Sequence, residues 1–558
     1  MSESVYHYLS RSLRNAVEKA FGNAAQNIDV ILEKPKQKSF GDLSSPVAMG
    51  IAKAVKDSPV AVAKKIMAGF AWNSDFVRPD PQLTSTVTGG FINFRLSNTY
   101  LHRVLSAASA SPRTFGRNLA DPAKRILFEF VSANPTGPMV VVNGRAAAIG
   151  DTVARVNAWI GNTVEREYYV NDYGRQVKLL GESIACRYLE QRGQEHAIPD
   201  GGYEGDYIKD LARDIGAGRP ELEHMTFDEA SQVFMKEAIT VIIAQQKSIL
   251  EKYGVSYDRW FRESELHKSD APAKALDLLR EKDLVFPKDG ALWFRTQEDS
   301  DDEKDRVLVR QDGSPTYFLA DLAYHLHKAS RGYDESYTFW GPDHHGYLPR
   351  LEGAVGALGL SKTVFRNFII QQVNLIRNGQ PFRMSKRKGD FITISELIDE
   401  VGVDAARYFF LMRRLSSHFD FDMTLATTHS DENPVYYVQY AHARTCSLLV
   451  HAQQQGFTTE EIASASPALL TTAEELDLMK RIAEFPTLLV QAALMVEPQR
   501  IPTFLEAFAA EFHVFYQKHR IVTEDRPLSC ARLLLTCGVR NVIKLGLDLL
   551  GVSAPERM

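Results

Sequence analysis

Cysteine is scarce in this 558-residue chain. Its four cysteines, Cys186, Cys446, Cys530 and Cys537, are scattered, without the spacing of a metal site or a disulfide framework. No apolar run approaches the roughly 18 residues that cross a bilayer, and the first residues lack the order of a secretion signal. A cytoplasmic protein with no membrane partner is therefore expected. Charge of one sign is lacking too: the formal net charge is −5, so any nucleic-acid contact has to come from local basic patches. Walker-type lysine loops, His-Glu-x-x-His and Cys-x-x-Cys are missing, which removes P-loop, zincin and zinc-ribbon chemistry. Internal repeats and low-complexity tracts are absent as well.

What remains is the ordinary balance of a globular protein, 44% hydrophobic and 24% charged. The chain is too long for one core, and roughly three or four domains are expected. Val5, Leu9, Leu13, Val17 and Phe21 recur at every fourth position and draw an amphipathic helix. Helical patterns follow from Val47 to Val55 and after Ser58-Pro59, then an alternating strand from Phe91 to Leu96. These make a small α+β domain over 1–115, with Ala120-Asp121-Pro122 as a linker. From there the texture is strand (Arg125 to Phe130), helix (Arg145 to Trp159), strand (Thr163 to Val170), the parallel unit that places ligands at strand C-termini. A Rossmann-like domain over 120–425 is expected, with a mostly helical insertion at about 176–300 and strands resuming at Arg306–Arg310, Tyr337–Trp340 and Phe368–Gln372. Residues 426–558 read as all-helical, so the fold class is multidomain α/β.

Two segments carry the chemistry. Ser132-Ala133-Asn134-Pro135-Thr136-Gly137-Pro138 follows an apolar strand; its prolines fix φ, Gly137 permits a turn, and the next helix opens its N-terminus above the sheet. Some 250 residues later, Phe382-Arg383-Met384-Ser385-Lys386-Arg387-Lys388 is a basic loop, in which Lys386 is a flexible ammonium able to follow phosphate charge. Alone, either has a plain reading as a rigid turn or a solvated loop. Trp340-Gly341-Pro342-Asp343-His344-His345-Gly346 follows a strand and suits a carboxylate gripping ribose hydroxyls. Its adjacent histidines point apart and have no third ligand, so no metal site is expected.

Together these segments resemble the two signatures of class I aminoacyl-tRNA synthetases, and the wording of the first resembles the arginyl-tRNA synthetase family. The resemblance covers nearly the whole chain, including Phe40-Gly41-Asp42 near the start and Leu549-Leu550-Gly551-Val552-Ser553-Ala554-Pro555-Glu556 near the end. It implies an arginine–tRNA ligase of protein synthesis, a tRNA-contacting N-terminal domain and a helical anticodon-binding C-terminal domain. ATP with Mg2+ is then a substrate complex rather than a bound cofactor, the partners are tRNA(Arg) and arginine, and a monomer is expected. The family requires tRNA for efficient arginine activation.

The resemblance also implies site roles. Glu129, Asn134, Tyr317 and Asp321 surround the substrate arginine, whose guanidinium pairs best with carboxylates; Tyr317 and Asp321 share one helical face at i, i+4. His344 joins the substrate wall. Pro138, Val140, Val142, Gly341, Asp343 and Met384 fall at ATP-binding positions, with Arg383, Ser385, Lys386 and Asn143 as the catalytic set. In Tyr168-Tyr169-Val170-Asn171-Asp172-Tyr173-Gly174-Arg175-Gln176, Asn171, Asp172 and Gln176 can hydrogen-bond substrate or the tRNA 3′ end, with Asn171 and Gln176 assigned to the tRNA, although a polar strand-end turn with only a structural role is the plain reading. Tyr436, Tyr440 and Arg444, along a tyrosine-rich helix, fit stacked bases and phosphates, although core packing explains such a helix equally well.

One departure divides the functional reading. The family's turn continues Leu-His-x-Gly-His, whereas this chain has Met139-Val140-Val141-Val142-Asn143. Val140 donates nothing where the first histidine stood, a valine at 142 pushes into the space for adenine, and Asn143 offers one amide in place of the second histidine. Losing a donor to developing charge costs roughly 3–4 kcal/mol, or 10²–10³ in rate. Two readings follow: a ligase with impaired adenylation, and a synthetase-like protein that binds tRNA or arginine without useful turnover.

Overall fold

A computed structural model describes residues 5–22, 30–35, 37–79, 87–296, 305–382 and 392–558. At the N-terminal end, α1 (Val5–Phe21), α2 (Val47–Val55) and α3 (Pro59–Ala68) pack beside a small antiparallel sheet of β1 (Leu43–Ser45), β2 (Val77–Arg78), β3 (Val87–Thr88) and β4 (Phe91–Leu96). Helix α4 (Asn98–Ala110) leads out of it and lies along the last helix of the chain, where the Asn541 amide donates to the Ala108 carbonyl at 2.9 Å. Asp42 accepts from the Leu96 amide at 2.9 Å and meets Lys480 at 2.9 Å, so this end of the molecule is braced against the C-terminal helices.

The centre is a five-stranded parallel sheet. The chain runs β5 (Arg125–Glu129), α5 (Val141–Trp159), β6 (Thr163–Val170), α6 (Arg175–Glu190), α7 (Asp206–Gly216), α8 (Phe227–Lys252), β7 (Arg259–Arg262), α9 (Glu263–Lys268) and α10 (Ala271–Glu281). A three-stranded antiparallel sheet, β8 (Val285–Lys288), β9 (Ala291–Phe294) and β10 (Arg306–Val309), precedes α11 (Tyr317–Ser330), β11 (Glu335–Trp340), α12 (Leu348–Ala357) and β12 (Phe365–Ile369). Strand order is β12-β11-β5-β6-β7 with every pair parallel. The chain thus winds one way from β5 and returns on its other side at β11, and the crevice above that reversal is where such sheets hold ligands.

Then come β13 (Val373–Arg377), β14 (Gln380–Pro381), α13 (Ile394–Leu411, interrupted at Gly402), β15 (Phe419–Asp422) and α14 (Met423–Thr427). From α15 (Pro434–Gln454) through α16 (Thr459–Ala463), α17 (Ala473–Leu494), α18 (Arg500–Lys518) and α19 (Arg526–Leu550), regular structure is helical. Buried Arg407 ties this bundle to the sheet domain: it donates to Asp151 on α5 at 2.6 Å, to the Leu550 carbonyl at 2.8 Å and to the Tyr253 carbonyl at 3.1 Å.

Three local expectations differ from the structure. Helix α5 begins at Val141, four residues before the expected Arg145, because the Asn143 side chain accepts from the Val140 amide at 2.9 Å and caps the first turn. The stretch expected to be helical contains β7, the edge strand of the parallel sheet, whose Arg-Trp-Phe-Arg has too little apolar alternation to stand out. Arg306–Val309 does not rejoin the parallel sheet but pairs antiparallel with β9, in a meander whose first turn is Asp289-Gly290.

Candidate active site

The segment leaving β5 climbs into the crevice through an unusual backbone. Val131 and Ser132 have φ of +70° and +41°, left-handed values that cost a non-glycine residue about 1–2 kcal/mol each and that concentrate at functional sites. Ser132 Oγ accepts from the Tyr169 amide at 3.1 Å, which ties the turn to β6. Asn134 then points its Nδ2 at Gln176 Oε1, 2.9 Å away in the first turn of α6. Beside them the exposed Tyr317 ring lies over Gly174, its hydroxyl accepting from the Arg175 amide at 3.3 Å. Gly174 has φ +95°, and a Cβ there would stand 2.2 Å from the Tyr317 oxygen, so only glycine admits this approach. Asn134, Tyr317 and Gln176 are therefore gathered at one mouth.

Below that mouth the side chains are acidic. Glu129, at the end of β5, is buried and ion-paired with buried Lys328 from α11; the Tyr324 hydroxyl donates to it at 3.1 Å and Lys328 also reaches Thr338 Oγ1 at 3.2 Å. Asp321, two helical turns before Lys328, accepts from the Tyr347 hydroxyl. Burial of its carboxyl, reinforced by the Glu129 charge, pushes its pKa up to about 6 against the pull of Tyr347 and Lys328. Glu263, at the start of α9, is also buried; desolvation and the nearby Asp321 raise it to about 8. Tyr169 stands among all three, its phenol held protonated by burial and then by Glu263, Asp321 and Glu129. The charge of Glu129 is already answered by Lys328, so the unmet anionic capacity lies with Asp321 and Glu263.

Sequence reasoning missed Glu263 and Lys328. Lys328 was visible as the continuation of the Tyr317, Asp321 and Tyr324 face at helical spacing. Glu263 was hidden behind β7, the strand that went unrecognised. Asn171 lines the same pocket: with its amide nitrogen turned inward it donates to Glu263 Oε2 at 2.8 Å and to the Tyr173 carbonyl at 3.1 Å. Asp172 next to it accepts from the Ser264 amide and hydroxyl, both at 2.9 Å, which pins the turn inward.

On the other side of the crevice stand the altered signature and the end of β11. Val140 bridges Thr393 antiparallel, the Val141 amide donates to the Ile392 carbonyl at 3.1 Å, and the Ile394 amide donates to the Met139 carbonyl at 3.0 Å. The first signature is thus hydrogen-bonded to the residues that directly follow the second. Arg383, Met384, Ser385 and Lys386 themselves lie outside the described residues. Asn143 spends its oxygen on the Val140 amide, leaving Nδ2 as its remaining donor; Val142 sits half-buried beside it, and Pro138 is exposed on the turn. Arg145 is wholly buried, donating to the carbonyls of Gln371, Ser417 and Arg414 at 2.9 Å each, so it fastens α5 to the strands around the second signature.

Gly341 ends β11, and Asp343 and His344 form a short 3-10 turn with Asp343 Oδ1 3.2 Å from His344 Nδ1. His345 contacts Gln371 at 2.9 Å, away from His344's partner. Among the described residues no group of three or more His, Cys, Asp or Glu side chains is placed to hold a metal ion. Because Tyr347 from this loop bonds Asp321, the nucleotide-side loop and the acidic pocket are joined.

Far from the crevice, Tyr436, Tyr440 and Arg444 follow one face of α15. The two rings stack with centroids 6.4 Å apart, and the Arg444 guanidinium lies over Tyr440 at 4.6 Å and Tyr516 at 4.9 Å. All are partly exposed. His442 is buried and bonded to the Pro555 carbonyl at 2.9 Å, so it holds the C-terminal tail and takes no part in that face.

Comparison with known proteins agrees along the whole chain. Residues 7–96 match the family model described as arginyl tRNA synthetase N terminal domain, 106–410 that of tRNA synthetases class I (R), catalytic domain, and 438–558 that of the DALR anticodon binding domain. An arginine–tRNA ligase of Desulforamulus reducens is 40% identical over 563 residues, covering 100% of this chain and 99% of the relative. One from Thermotoga maritima is 41% identical over 552 residues, covering 99% of each. The Thermus thermophilus arginyl-tRNA synthetase structure superimposes with a TM-score of 0.78 at 21% identity, over 99% of this chain and 100% of that one, and so shares its fold.

Proposed function

The chain belongs to the arginyl-tRNA synthetase family of class I aminoacyl-tRNA synthetases, and we infer from its site how it divides the work of an arginine–tRNA ligase. The observation that carries this reading is the set of buried carboxyl groups at the sheet reversal. Asp321 and Glu263 supply two carboxyl groups that ionise as a guanidinium enters, while Glu129, neutralised by Lys328, fixes the floor. Asn134 and Tyr317 close over the aliphatic part and the α-amino end. Cations would be needed there for an acidic amino acid, and an apolar lining for an aliphatic one.

Arginine's carboxylate then attacks the α-phosphorus of ATP, supplied with Mg2+, and pyrophosphate leaves. A hydroxyl of the tRNA's terminal ribose next attacks the adenylate carbonyl and AMP leaves. No protein nucleophile is required, so the protein contributes positioning and charge. Gly341 and Asp343 are assigned to the ribose, Pro138, Val142 and Met384 to adenine and its surroundings, and Lys386 with Arg383 and Ser385 to the phosphates. Gln176 is assigned to the tRNA end and Tyr436, Tyr440 and Arg444 to the anticodon arm. The expected domain division, 1–115, 120–425 and 426–558, assigns tRNA contacts to the outer two.

A second reading has its own support. With Val140 and Val142 in place of a donor and a glycine, and Asn143 half-committed to capping α5, adenylation falls well below a full signature's rate. Arginine-dependent ATP–pyrophosphate exchange with each of the twenty amino acids, tRNA present, tests both. Exchange with arginine alone supports the ligase. Arginine and tRNA binding without exchange supports the binding protein, and preference for another amino acid overturns the pocket.

A further inference from the structure

The turn that begins the first signature has no backbone ladder of its own. Four carbonyls between Phe130 and Thr136 accept from side chains of other elements: Phe130, which also accepts from the Ser132 amide at 3.0 Å, from the Tyr257 hydroxyl at 3.0 Å, Ala133 from the Tyr168 hydroxyl at 3.1 Å, Asn134 from Gln246 Nε2 at 3.2 Å and Thr136 from the Tyr207 hydroxyl at 2.7 Å. The backbone they hold includes the left-handed Val131 and Ser132, a geometry that needs outside support to persist. Tyr168, Tyr257 and Gln246 sit on or beside the sheet. Tyr207 differs. It comes from α7 and borders a cavity of about 450 Å³ lined by Gly137 and Pro138, by apolar Leu211 and Ile215, and by charged Asp210 and Glu237. Its ring is also in register with Gly137, where an added Cβ would stand 3.3 Å from the phenol oxygen.

We propose that Tyr207 is a positioning residue for adenylation, through which helix α7 sets the turn Thr136-Gly137-Pro138 and hence the aim of the α5 N-terminus at ATP. The inference rests on the ligase reading for its chemistry and on the hydrogen bond and Gly137 contact for its geometry. Burial keeps the Tyr207 phenol protonated and therefore a donor. The Thr136 carbonyl bond and the Gly137 ring contact are what join Tyr207 on α7 to the turn. Thr136 follows Asn134 in the chain toward the start of α5, and Ala133 and Asn134 keep their own supports, Tyr168 and Gln246.

The test is a double-mutant cycle of Tyr207→Phe and Gly137→Ala in the full-length chain, read by pyrophosphate exchange with tRNA present, arginine binding by calorimetry, and thermal unfolding. Each single variant is expected to lower kcat or raise the KM for ATP about tenfold, with the arginine Kd changed less than about twofold. Because Phe leaves room for the new methyl, the double variant is expected to match Tyr207→Phe. A wild-type kcat and ATP KM in Tyr207→Phe overturns the proposal, as does full additivity of the two. A loss that merely tracks a lowered Tm overturns it as well. If the parent chain shows no exchange at all, the ligase reading fails separately, and amide hydrogen exchange decides. Faster exchange in Tyr207→Phe confined to residues 133–142 then supports the positioning role, and an unchanged pattern there refutes it.

Discussion

The two sides of the crevice are built on opposite principles. The arginine side is dense with buried, mutually engaged polar groups: Glu129 with Lys328 and Tyr324, Asp321 with Tyr347, Glu263 with Asn171. The nucleotide side has β-branched residues and backbone hydrogen bonds where the family places histidines and a glycine, and the side-chain oxygen of its one polar replacement, Asn143, accepts from the Val140 amide to cap a helix. Buried charge is tolerated only when partners are in place, so the first side is costly to build and specific. A strand-like bridge costs little and gives rigidity without charge. The two sides touch where Tyr347 bonds Asp321 but rest otherwise on different side chains, so mutations can be aimed at each in turn.

The largest effect is expected from rebuilding the nucleotide side. Val140→His, Val142→Gly and Asn143→His together are expected to raise arginine-dependent exchange by about 10²–10³. They also remove the Asn143 cap and place glycine in a helix, so unfolding free energy falls by about 1–2 kcal/mol. Stopped exchange assays and thermal melts on the same samples show both. A parent chain already turning over within the ordinary range of about 1–10³ per second erases the contrast between the two sides.

The next largest belongs to the acidic side. Asp321→Asn is expected to raise the KM for arginine by about 10–100-fold with the KM for ATP unchanged, since it removes one charge-assisted pair. Glu129→Gln should act differently. It leaves Lys328 buried opposite a neutral amide, and about 3–5 kcal/mol of stability goes with it. Chemical denaturation separates the two cases; equal unfolding free energies for both variants contradict the assignment of Glu129 to the floor.

Much of this arrangement was readable beforehand, and the failures have common causes. The apolar run into β5, the turn after it and the i, i+4 pair Tyr317 and Asp321 are local patterns, and local patterns survive in sequence. Glu263 reaches the pocket only because a four-residue edge strand, two of its residues arginine, delivers it. Asn143 keeps the amide donor the sequence suggested, but nothing local revealed that its oxygen turns back to its own helix. Long-range pairing and side-chain satisfaction are tertiary facts, and they decide which polar residues remain available for substrate.

A smaller effect follows from the raised acids. Both Asp321, at about 6, and Glu263, at about 8, hold their protons above the ordinary carboxyl range. A raised carboxyl stabilises the empty fold below its unfolded pKa, and that contribution is lost as pH climbs through the folded value. The arginine-free protein is therefore expected to lose stability between pH 4 and 8 from these groups. Guanidinium binding favours the ionised forms, so arginine affinity should rise about tenfold from pH 6 to 8, with protons released on binding. Calorimetry in buffers of different ionisation enthalpy counts them. Glu263→Gln should flatten the upper half of that rise, and an affinity independent of pH removes Glu263 from the pocket.

The smallest effect tests whether both sides are independent of the outlying tRNA face. Tyr436 and Tyr440 stack with Arg444 laid across Tyr440, and His429 and His513 meet the two rings in turn. Base-on-aromatic stacking is worth roughly 1–3 kcal/mol by alanine substitution, and a half-buried ring gives the lower part of that range. Tyr436→Ala, which spares the Arg444 contact, should weaken tRNA binding about fivefold to tenfold in a filter assay, with tRNA-free arginine affinity unchanged. Tyr440→Ala also removes the surface under Arg444, so its loss should be larger and more dependent on salt. Equal losses with equal salt slopes would mean that the stack only packs the bundle, and the anticodon assignment would then fall to other residues of the helical domain.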